Sequence, residues 1–324
     1  MGNKCVCNET AKSIMPEGGL PENPVIAVYS GGSLYKMPSL GETQATQSQS
    51  SKKGISVNST PVGRSGEVKL PADIDLLPES SEKIDPLAPS PTIPKFDLNI
   101  QSVVPHPSGR DSHIVTFADG TVYEGKFMNN QMEIYGSLKL KNGDEYTGAF
   151  QENKLYGDGV YMFRDGTLYS GNFVANLPDG KGTVNFSNGD SYEGGFRAGK
   201  RSGKGKYFWK KGDSYYGDFA NDRFNGKGDH ETVTKSFFKG EFKNGTRSGK
   251  GWMTYSNGDV YRGDFKNNQR DGWGELRLMA KGIWIRGSFL KDRPDGICEI
   301  AFDDGKTLDV EFQNGLATDN VVFK

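Results

Sequence analysis

Short runs of alternating apolar and polar side chains fill the last two thirds of the chain, from about residue 113 onward. Each run places an apolar residue, a glycine and a phenylalanine at alternate positions, with charged residues such as Glu124 and Lys126 between them. Successive side chains of a strand point to opposite faces. The alternation therefore predicts β-strands with one apolar and one charged face.

This apolar–glycine–phenylalanine pattern recurs every 23 residues, and a fixed period is the signature of a repeat architecture. The eighth copy has slipped by one residue, and the ninth has valine in place of glycine. The copies lie at Tyr123-Gly125-Phe127, Tyr146-Gly148-Phe150, Tyr169-Gly171-Phe173, Tyr192-Gly194-Phe196, Tyr215-Gly217-Phe219, Phe238-Gly240-Phe242, Tyr261-Gly263-Phe265, Ile285-Gly287-Phe289 and Leu308-Val310-Phe312.

A second motif, in which two glycines flank one residue, keeps a constant distance from the first. We expect this pair to permit a sharp bend between strands. We also expect the glycine between two aromatic residues to leave room for rings from the neighbouring strand. Ile134 replaces the first glycine of one copy, and Cys298 replaces the second glycine of another. The complete pairs are Gly157/Gly159, Gly180/Gly182, Gly203/Gly205, Gly226/Gly228, Gly249/Gly251 and Gly272/Gly274.

An Asn-Gly or Asp-Gly pair follows most copies, at positions 119–120, 142–143, 165–166, 188–189, 257–258 and 304–305. Such pairs are a strong hairpin signal, because tight hairpin turns need positive φ. The sequence thus predicts two short strands per repeat, joined by a turn at this pair. The predicted fold class is all-β, an elongated array of stacked β-hairpins that forms a single twisted antiparallel sheet.

One repeat departs from the pattern. It has His230 and Thr232 at two normally apolar positions, and Thr234-Lys235 replaces the turn pair. The departure is interpreted either as local weakening of one hairpin or as a bend or docking point. His230 is not expected to bind a metal, since no His or Cys partner lies at ligand spacing.

The segment from Tyr192 to Gly205 reads Tyr-Glu-Gly-x-Phe-x-x-Gly-Lys-x-x-Gly-Lys-Gly, which resembles the MORN repeat (membrane occupation and recognition nexus). About nine copies, complete or degenerate, cover residues 113–315. The resemblance implies a sheet of stacked hairpins with a trough lined by aromatic residues. It also implies a dimeric or partner-binding scaffold.

The aromatic trough is a candidate partner site, because an apolar face of this size needs a cover. Self-association, a partner helix or the chain's own tail could supply it, and the resemblance favours the first two. The candidate trough residues are Tyr146, Phe150, Tyr169, Phe173, Tyr192, Phe196, Tyr207, Trp209, Tyr215, Phe219, Tyr255, Tyr261 and Phe265.

The first 110 residues have a different composition. They hold thirteen of the fifteen prolines and show almost no apolar periodicity. Such a segment cannot bury enough surface to offset its ordering entropy. It is predicted to be a disordered tail over residues 1–110, followed by a repeat domain over residues 111–324. The tail is interpreted as a plain linker or as a segment that folds on a partner, with residues 25–29 and 95–100 as candidate anchors.

The chain begins Met-Gly-Asn-Lys-Cys-Val-Cys. Gly2 could be myristoylated after removal of Met1, and Cys5 and Cys7 could then be palmitoylated, as in dual-acylation leaders of peripheral membrane proteins. Val6 departs from the myristoylation consensus, which has Ser or Thr at that position. The alternative is that both cysteines are incidental residues of an unstructured end.

A basic run is a candidate patch for anionic phospholipids, because each such charge near an anionic leaflet contributes about 1 kcal/mol. The alternative is a solvated face. Residues 111–324 carry 30 basic and 30 acidic side chains, which argues against lipid binding by the whole array. The net charge of -1 argues against nucleic-acid binding. The run consists of Arg197, Lys200, Arg201, Lys204, Lys206, Lys210 and Lys211.

The chain has only three histidines and shows no Ser/His/Asp or Cys/His constellation. We therefore expect no enzymatic activity, no cofactor and no metal. The predicted function is a membrane-tethered scaffold that links the cytoplasmic face of a membrane, at the cell cortex, to cortical or cytoskeletal proteins, with homodimerisation left open. One alternative is a soluble axonemal protein of cilia, similar to radial-spoke components. The other is a phosphoinositide-binding regulatory partner of a separate lipid kinase.

Overall fold

The computed structural model describes residues 28–30, 33–35, 84–95, 98–109 and 111–323. The chain divides into two units, Met1–Val68 and Lys69–Lys324. The described part of the first unit is a small hairpin of β1 (Val28–Ser30) and β2 (Ser33–Tyr35). The predicted acylation leader and most of the predicted tail lie outside the described residues.

The second unit contains one antiparallel sheet, so the predicted all-β class is confirmed. A short 3-10 helix, Met279–Lys281, is the only helix among the described residues. The strands are β3 (Ile100–Pro105), β4 (His113–Phe117), β5 (Val122–Met128), β6 (Gln131–Lys139), β7 (Glu145–Gln151), β8 (Lys154–Met162), β9 (Leu168–Val174), β10 (Leu177–Asn185), β11 (Ser191–Arg197), β12 (Lys200–Phe208), β13 (Ser214–Ala220), β14 (Arg223–Glu231), β15 (Phe237–Lys243), β16 (Thr246–Thr254), β17 (Val260–Lys266), β18 (Gln269–Leu278), β19 (Ile283–Leu290), β20 (Arg293–Pro294), β21 (Gly296–Phe302), β22 (Thr307–Gln313) and β23 (Leu316–Phe323).

The sheet is open, and its strands pair in chain order. Among the described ladders, β3 pairs only with β4, and β23 pairs only with β22. Strand β19 pairs with both β20 and β21, which together take the place of one strand. From β5 onward the strands therefore form consecutive hairpins, one for each copy of the sequence repeat.

Each central repeat consists of a seven-residue strand, a two-residue turn, a nine-residue strand and a five-residue loop, as in β7, Glu152-Asn153, β8 and residues 163–167. Glu152 and Asn153 have φ of 48° and 64°, as in the type I′ turns that suit twisted hairpins. The tight turn predicted at the Asn-Gly and Asp-Gly pairs is thus wrong. Those pairs lie in the five-residue loops. The two-residue turns that join the strands of each hairpin have no constant sequence signal, because their first position varies among Glu, Ala, Asn and Lys.

The Gly-x-Gly pairs were predicted to permit a bend between strands, but they lie inside the longer strands, where the first glycine has positive φ at a register shift. In the six complete pairs its φ lies between 67° and 114°, and Ile134 takes the same conformation with φ of 61°. The ladder shifts register there: Gly194 pairs with Gly205, whereas Phe196 pairs with Arg201. The resulting bulge leaves the intervening residues out of the regular pairing.

Tyrosine rings lie flat over the glycines of the aromatic face. A Cβ atom on Gly194 would lie 2.4 Å from the Tyr192 hydroxyl, and one on Gly205 would lie 2.6 Å from the same ring. The Tyr192 hydroxyl donates to the carbonyl of Gly195 at 2.9 Å. The hydroxyl groups of Tyr146, Tyr169, Tyr215 and Tyr261 likewise each donate to the carbonyl of the residue three positions later. Each tyrosine thereby supplies a donor at the bulge.

Phenylalanine rings close the gaps between these tyrosines. The Tyr192 ring meets Phe196 and Phe219 edge-on, with ring centroids 5.2 and 5.0 Å apart. As a result, all thirteen candidate trough residues are at most 6% exposed. The candidate trough residues therefore form the core of the sheet, and these side chains cover one another over most of its length.

Side chains at both edges of the sheet join successive hairpins. In the five-residue loops, Asp190 Oδ1 accepts a hydrogen bond from the Lys210 N–H of the next loop at 2.9 Å. At the two-residue turns, Asn176 Oδ1 accepts one from the Leu155 N–H at 2.7 Å. These contacts link residues about twenty positions apart and stack one repeat on the next.

The departing repeat keeps the pairing of its neighbours. Strands β14 and β15 pair from Gly226 opposite Phe242 to Glu231 opposite Phe237. Lys235 closes the loop with φ of 72°, where other repeats have glycine. The structure thus shows a complete hairpin at this position.

The predicted tail boundary at residue 110 is too late. Strand β3 extends the sheet by pairing with β4 from Ile100 opposite Phe117 to Pro105 opposite His113. Residues 84–95, which have no regular secondary structure, also belong to the second unit and contact its aromatic core. Main-chain pairing in the first case and buried apolar side chains in the second stabilise segments whose composition alone predicts disorder.

Candidate binding site on the aromatic face

Residues 84–95, here called the proline-rich segment, read Ile-Asp-Pro-Leu-Ala-Pro-Ser-Pro-Thr-Ile-Pro-Lys. Ile84, Leu87, Ala88 and Ile93 are partly buried against the aromatic core. The segment covers the part of the aromatic face around Arg201 and Tyr207, and this cover comes from the chain itself, one of the three sources that the sequence left open.

The main chain of Ala88 is held at both of its polar groups. Its N–H donates to the Tyr207 hydroxyl at 2.9 Å, and its carbonyl accepts a hydrogen bond from Arg201 Nη2 at 2.8 Å. The Tyr207 hydroxyl in turn donates to Asp190 Oδ2 at 2.6 Å. Strand β12 therefore provides both a donor and an acceptor for the main chain of one residue.

Arg201 is a buried cation at the centre of this site, with only 1% of its surface exposed. Its Nε lies 3.1 Å from Asp222 Oδ1, so the charge has a carboxylate partner. The guanidinium carbon lies 5.4 Å from the Tyr207 ring centroid and 5.8 Å from that of Tyr192, within the range of cation–π attraction.

Two polar contacts flank the hydrogen bonds at Ala88. Lys211 Nζ lies 3.0 Å from Asp85 Oδ2 and 2.8 Å from Asp213 Oδ2. The Ser90 hydroxyl donates to Asp222 Oδ1, the same oxygen that Arg201 contacts. The segment is thus positioned by charge on one side of Ala88 and by a hydroxyl group on the other.

Two buried donors at this site have no acceptor among the described residues. They are Arg201 Nη1 and the indole Nε1 of Trp209. The Trp209 ring packs edge-on against Tyr207, with centroids 4.8 Å apart. The site therefore offers more donors than the proline-rich segment uses.

The protonation states of the Tyr207–Asp190 pair fit this arrangement. Burial raises the pKa of Tyr207 well above its usual value, and the hydrogen bond to Asp190 raises it further. Burial also raises the pKa of Asp190, but the hydrogen bonds from Tyr207 and the Lys210 N–H outweigh it, so this pKa lies below its usual value. At neutral pH the hydroxyl is the donor and the carboxylate the acceptor.

The basic run predicted as a lipid patch does not form one surface. Arg201 is buried in the site above, which corrects its assignment to the patch. Arg197 and Lys200 flank the turn at one end of β12, and Lys210 and Lys211 follow its other end, roughly 30 Å away for a nine-residue strand. Lys204 is paired with Asp218 at 2.8 Å, and Lys206 lies over the Tyr216 ring.

The opposite, polar face of the sheet has features that sequence reasoning missed. Opposite charges face each other across strands, as in Lys250–Asp264 at 2.7 Å and Lys239–Asp229 at 3.1 Å. Four large aromatic side chains stand among them and are more than half exposed: Tyr135, Tyr216, Trp252 and Trp273. The sequence indicates them only in that each is an aromatic residue at a repeat position that is polar in most other copies.

Other predicted sites are not brought together. Gly2, Cys5 and Cys7 lie outside the described residues. Within the part of the chain that the structure describes, no cluster of three His, Cys, Asp or Glu side chains could hold a metal ion. In the same part of the chain, no helix is long and apolar enough to cross a membrane.

The repeats match the family model described as "MORN repeat" in seven segments, namely residues 123–145, 146–168, 169–191, 192–214, 215–229, 238–260 and 261–277. Seven segments of the repeat array thus match the MORN repeat, as the resemblance in the sequence implied. No curated protein sequence matches the chain.

Solved structures similar to the chain include the TCP10 domain of Danio rerio CPAP in complex with a STIL peptide. It is 14% identical, with 65% of this chain and 88% of that chain covered, at a TM-score of 0.35. The TCP10c domain of Drosophila melanogaster Sas-4 is 12% identical, with 51% and 98% covered, at a TM-score of 0.30. At these scores the likeness carries no inference about function.

Proposed function

We propose that this protein is a non-enzymatic scaffold, whose MORN-repeat sheet binds cortical or cytoskeletal proteins while acyl groups near the N-terminus hold it on the cytoplasmic face of a membrane. The observation that carries the binding role is the polar face of the sheet. It exposes Trp and Tyr side chains among fixed charges, and aromatic residues and Arg are the types enriched in protein interfaces.

Trp252 illustrates this surface. It is 53% exposed and lies between Lys239 and Arg262 of the two neighbouring strands. A solvated tryptophan on a rigid sheet loses little side-chain entropy when a partner covers it. Lys239 is already paired with Asp229 at 3.1 Å, so Arg262 is the flanking cation that favours a partner with an acidic group beside an apolar contact.

The membrane role rests on Gly2, Cys5 and Cys7. A single myristoyl chain binds membranes only reversibly, and a second acyl chain makes the attachment stable. Residues 111–324 carry 30 basic and 30 acidic side chains, so their net charge does not attract an anionic leaflet and attachment would depend on the acyl groups.

Membrane fractionation of the full-length protein, with intact-mass analysis, tests the tether. It compares wild type with Gly2→Ala and with a Cys5→Ser/Cys7→Ser double variant, in cells that carry both acyltransferases. We expect wild type to pellet with membranes and to carry acyl mass, and both variants to become soluble. Cys298→Ser is the matched control, because Cys298 is buried in the sheet and should have no role in attachment.

A soluble, unmodified wild type would overturn the tether, and the axonemal alternative would then be the better hypothesis. The phosphoinositide alternative predicts instead that replacing Arg197, Lys200, Lys206 and Lys210 with glutamate abolishes binding to phosphoinositide vesicles. The separation of these residues over the two ends of β12 gives that alternative little support.

A further inference from the structure

We propose that the aromatic face around Arg201, Tyr207 and Trp209 is a binding site for an extended, proline-rich peptide of a partner protein, and that residues 84–95 occupy it in cis as a built-in competitor. The inference rests on the protein-binding part of the proposed function. It adds a second surface, a ligand class and a means of regulation.

The chemistry of the site suits an extended proline-rich chain. Such a chain has no internal hydrogen bonds, and its carbonyl groups are free to accept hydrogen bonds from a groove lined with aromatic rings. The proline-rich segment contains Pro86, Pro89, Pro91 and Pro94, and it is anchored through the main chain of Ala88. Anchoring through main-chain groups does not depend on the segment being part of this polypeptide.

The site is incompletely satisfied by its present occupant. Arg201 Nη1 and Trp209 Nε1 are buried donors without an acceptor among the residues described. Leaving a buried donor unpaired is unfavourable. A peptide that places carbonyl oxygens at these two atoms would therefore bind better than the cis segment and could displace it.

The flanking contacts define the ligand further. Asp85, three residues before Ala88, pairs with Lys211. Ser90, two residues after Ala88, contacts Asp222. The preferred ligand thus has an acidic residue three positions before a small residue, with proline next to that residue. Proline lowers the entropy that an extended peptide loses on binding.

Only one repeat combines the three side chains. At the positions equivalent to Tyr207 and Trp209, the repeat two before it has Tyr161 and Phe163, and its position equivalent to Arg201 is Leu155. Every other copy also lacks at least one of the three residue types at these positions. The array therefore carries one such site, at the place where the proline-rich segment lies.

Fluorescence anisotropy with a labelled synthetic peptide of residues 84–95 tests the proposal on the full-length protein. Leu87→Glu and Ala88→Pro are two independent variants that release the cis segment, the first by removing an apolar contact and the second by removing the N–H bound by Tyr207. Both changes lie outside the strands, and thermal melting checks that the sheet remains folded. We expect each to bind the peptide at least tenfold more tightly than wild type, because a tethered competitor acts at about millimolar effective concentration.

A matched pair of second substitutions tests the site itself. In the Leu87→Glu background, Tyr207→Phe should weaken peptide binding at least fivefold. Tyr161→Phe should leave it unchanged, although Tyr161 donates to Asp144 just as Tyr207 donates to Asp190. The two changes remove equivalent internal hydrogen bonds, so a difference between them reports the contact with the peptide.

Three results would overturn the inference: no binding by either released variant, equal binding by wild type and released variants, or equal effects of Tyr207→Phe and Tyr161→Phe. Each is measured on purified protein without membranes. Membrane pelleting of the same variants keeps the two proposals apart. A variant that still pellets but fails to bind the peptide leaves the tether intact and refutes only the inference.

Discussion

In most repeats, one tyrosine both fills the space over the strand glycines with its ring and donates a hydrogen bond at the bulge with its hydroxyl group. The Tyr192 ring occupies the space over Gly194 and Gly205, so neither position accepts a Cβ atom. Its hydroxyl donates to the Gly195 carbonyl, where the ladder to β12 is interrupted. Because a buried carbonyl without a donor is unfavourable, the tyrosine stabilises the bulge that the glycine permits.

Phe238 stands at this tyrosine position in the sixth repeat and has no hydroxyl group. We expect Phe238→Tyr to raise the free energy of unfolding by about 1 kcal/mol, since the new hydroxyl can donate to the Glu241 carbonyl. Urea unfolding followed by circular dichroism measures the change. Tyr192→Phe is the reciprocal control and should lower the free energy by about the same amount. A less stable Phe238→Tyr protein would contradict this role of the hydroxyl.

At the scale of the element, two connections alternate along the array. The two-residue turn needs positive φ at both positions, and the five-residue loop needs it at the fourth position, which is glycine in most copies. The loop is closed by an N–H of that fourth residue, as from Gly258 to the Tyr255 carbonyl at 2.9 Å. Lys235 makes the same bond to Thr232, also at 2.9 Å, from a left-handed conformation that a side chain disfavours.

Replacing Lys235 should therefore relieve local strain. We expect Lys235→Gly to raise the free energy of unfolding by about 0.5 to 1 kcal/mol, after allowance for the greater entropy of glycine in the unfolded chain. The midpoint of thermal or urea denaturation measures the effect. Gly258, at the equivalent loop position, has φ of 88°. The reverse substitution there, Gly258→Lys, should lower the free energy of unfolding. An unchanged midpoint in both variants would show that this loop position does not limit stability.

At the scale of the whole molecule, the aromatic face couples stability to alkaline pH. Burial raises the pKa of nine tyrosines above the ordinary value, and their hydroxyl groups stay protonated while the sheet is folded. In the unfolded chain tyrosine ionises near pH 10. The unfolded state then binds fewer protons than the folded state, so stability is fully present below about pH 10 and decreases as pH rises further.

We accordingly expect the sheet to unfold cooperatively above about pH 10, with tyrosine ionisation and loss of strand structure in one transition. Absorbance at 295 nm reports the ionisation, and far-ultraviolet circular dichroism reports the strands. A single Tyr192→Phe substitution serves as a control and should reduce the steepness of the pH dependence. Full ionisation of the tyrosines in a sheet that keeps its circular dichroism would contradict the expectation.

The order of the repeats was readable from the sequence because it rests on local rules. Alternation along each strand determines which face Tyr192 and Phe196 occupy, and the 23-residue period determines that neighbouring strands bring equivalent residues together. The special backbone conformation at Gly203 was also predictable, since a glycine recurs at that position, but the sequence placed it between strands rather than at a bulge within β12. The tight turn at Glu152-Asn153 was not, because many residues tolerate its first position.

What the tertiary structure decided depends on contacts between residues far apart in the chain. Ala88 and Tyr207 are 119 positions apart, and no local pattern indicates that they meet. Arg201 was predicted to be a surface cation, but the fold buries it beside the half-buried Asp222, 21 positions later. The sequence by itself thus determined an all-β array of 23-residue repeats with a glycine-lined aromatic face. Only the packed sheet decided that this face is closed, that Arg201 is inside it, and that a proline-rich segment of the same chain lies on it, because burial is a property of the assembled surface.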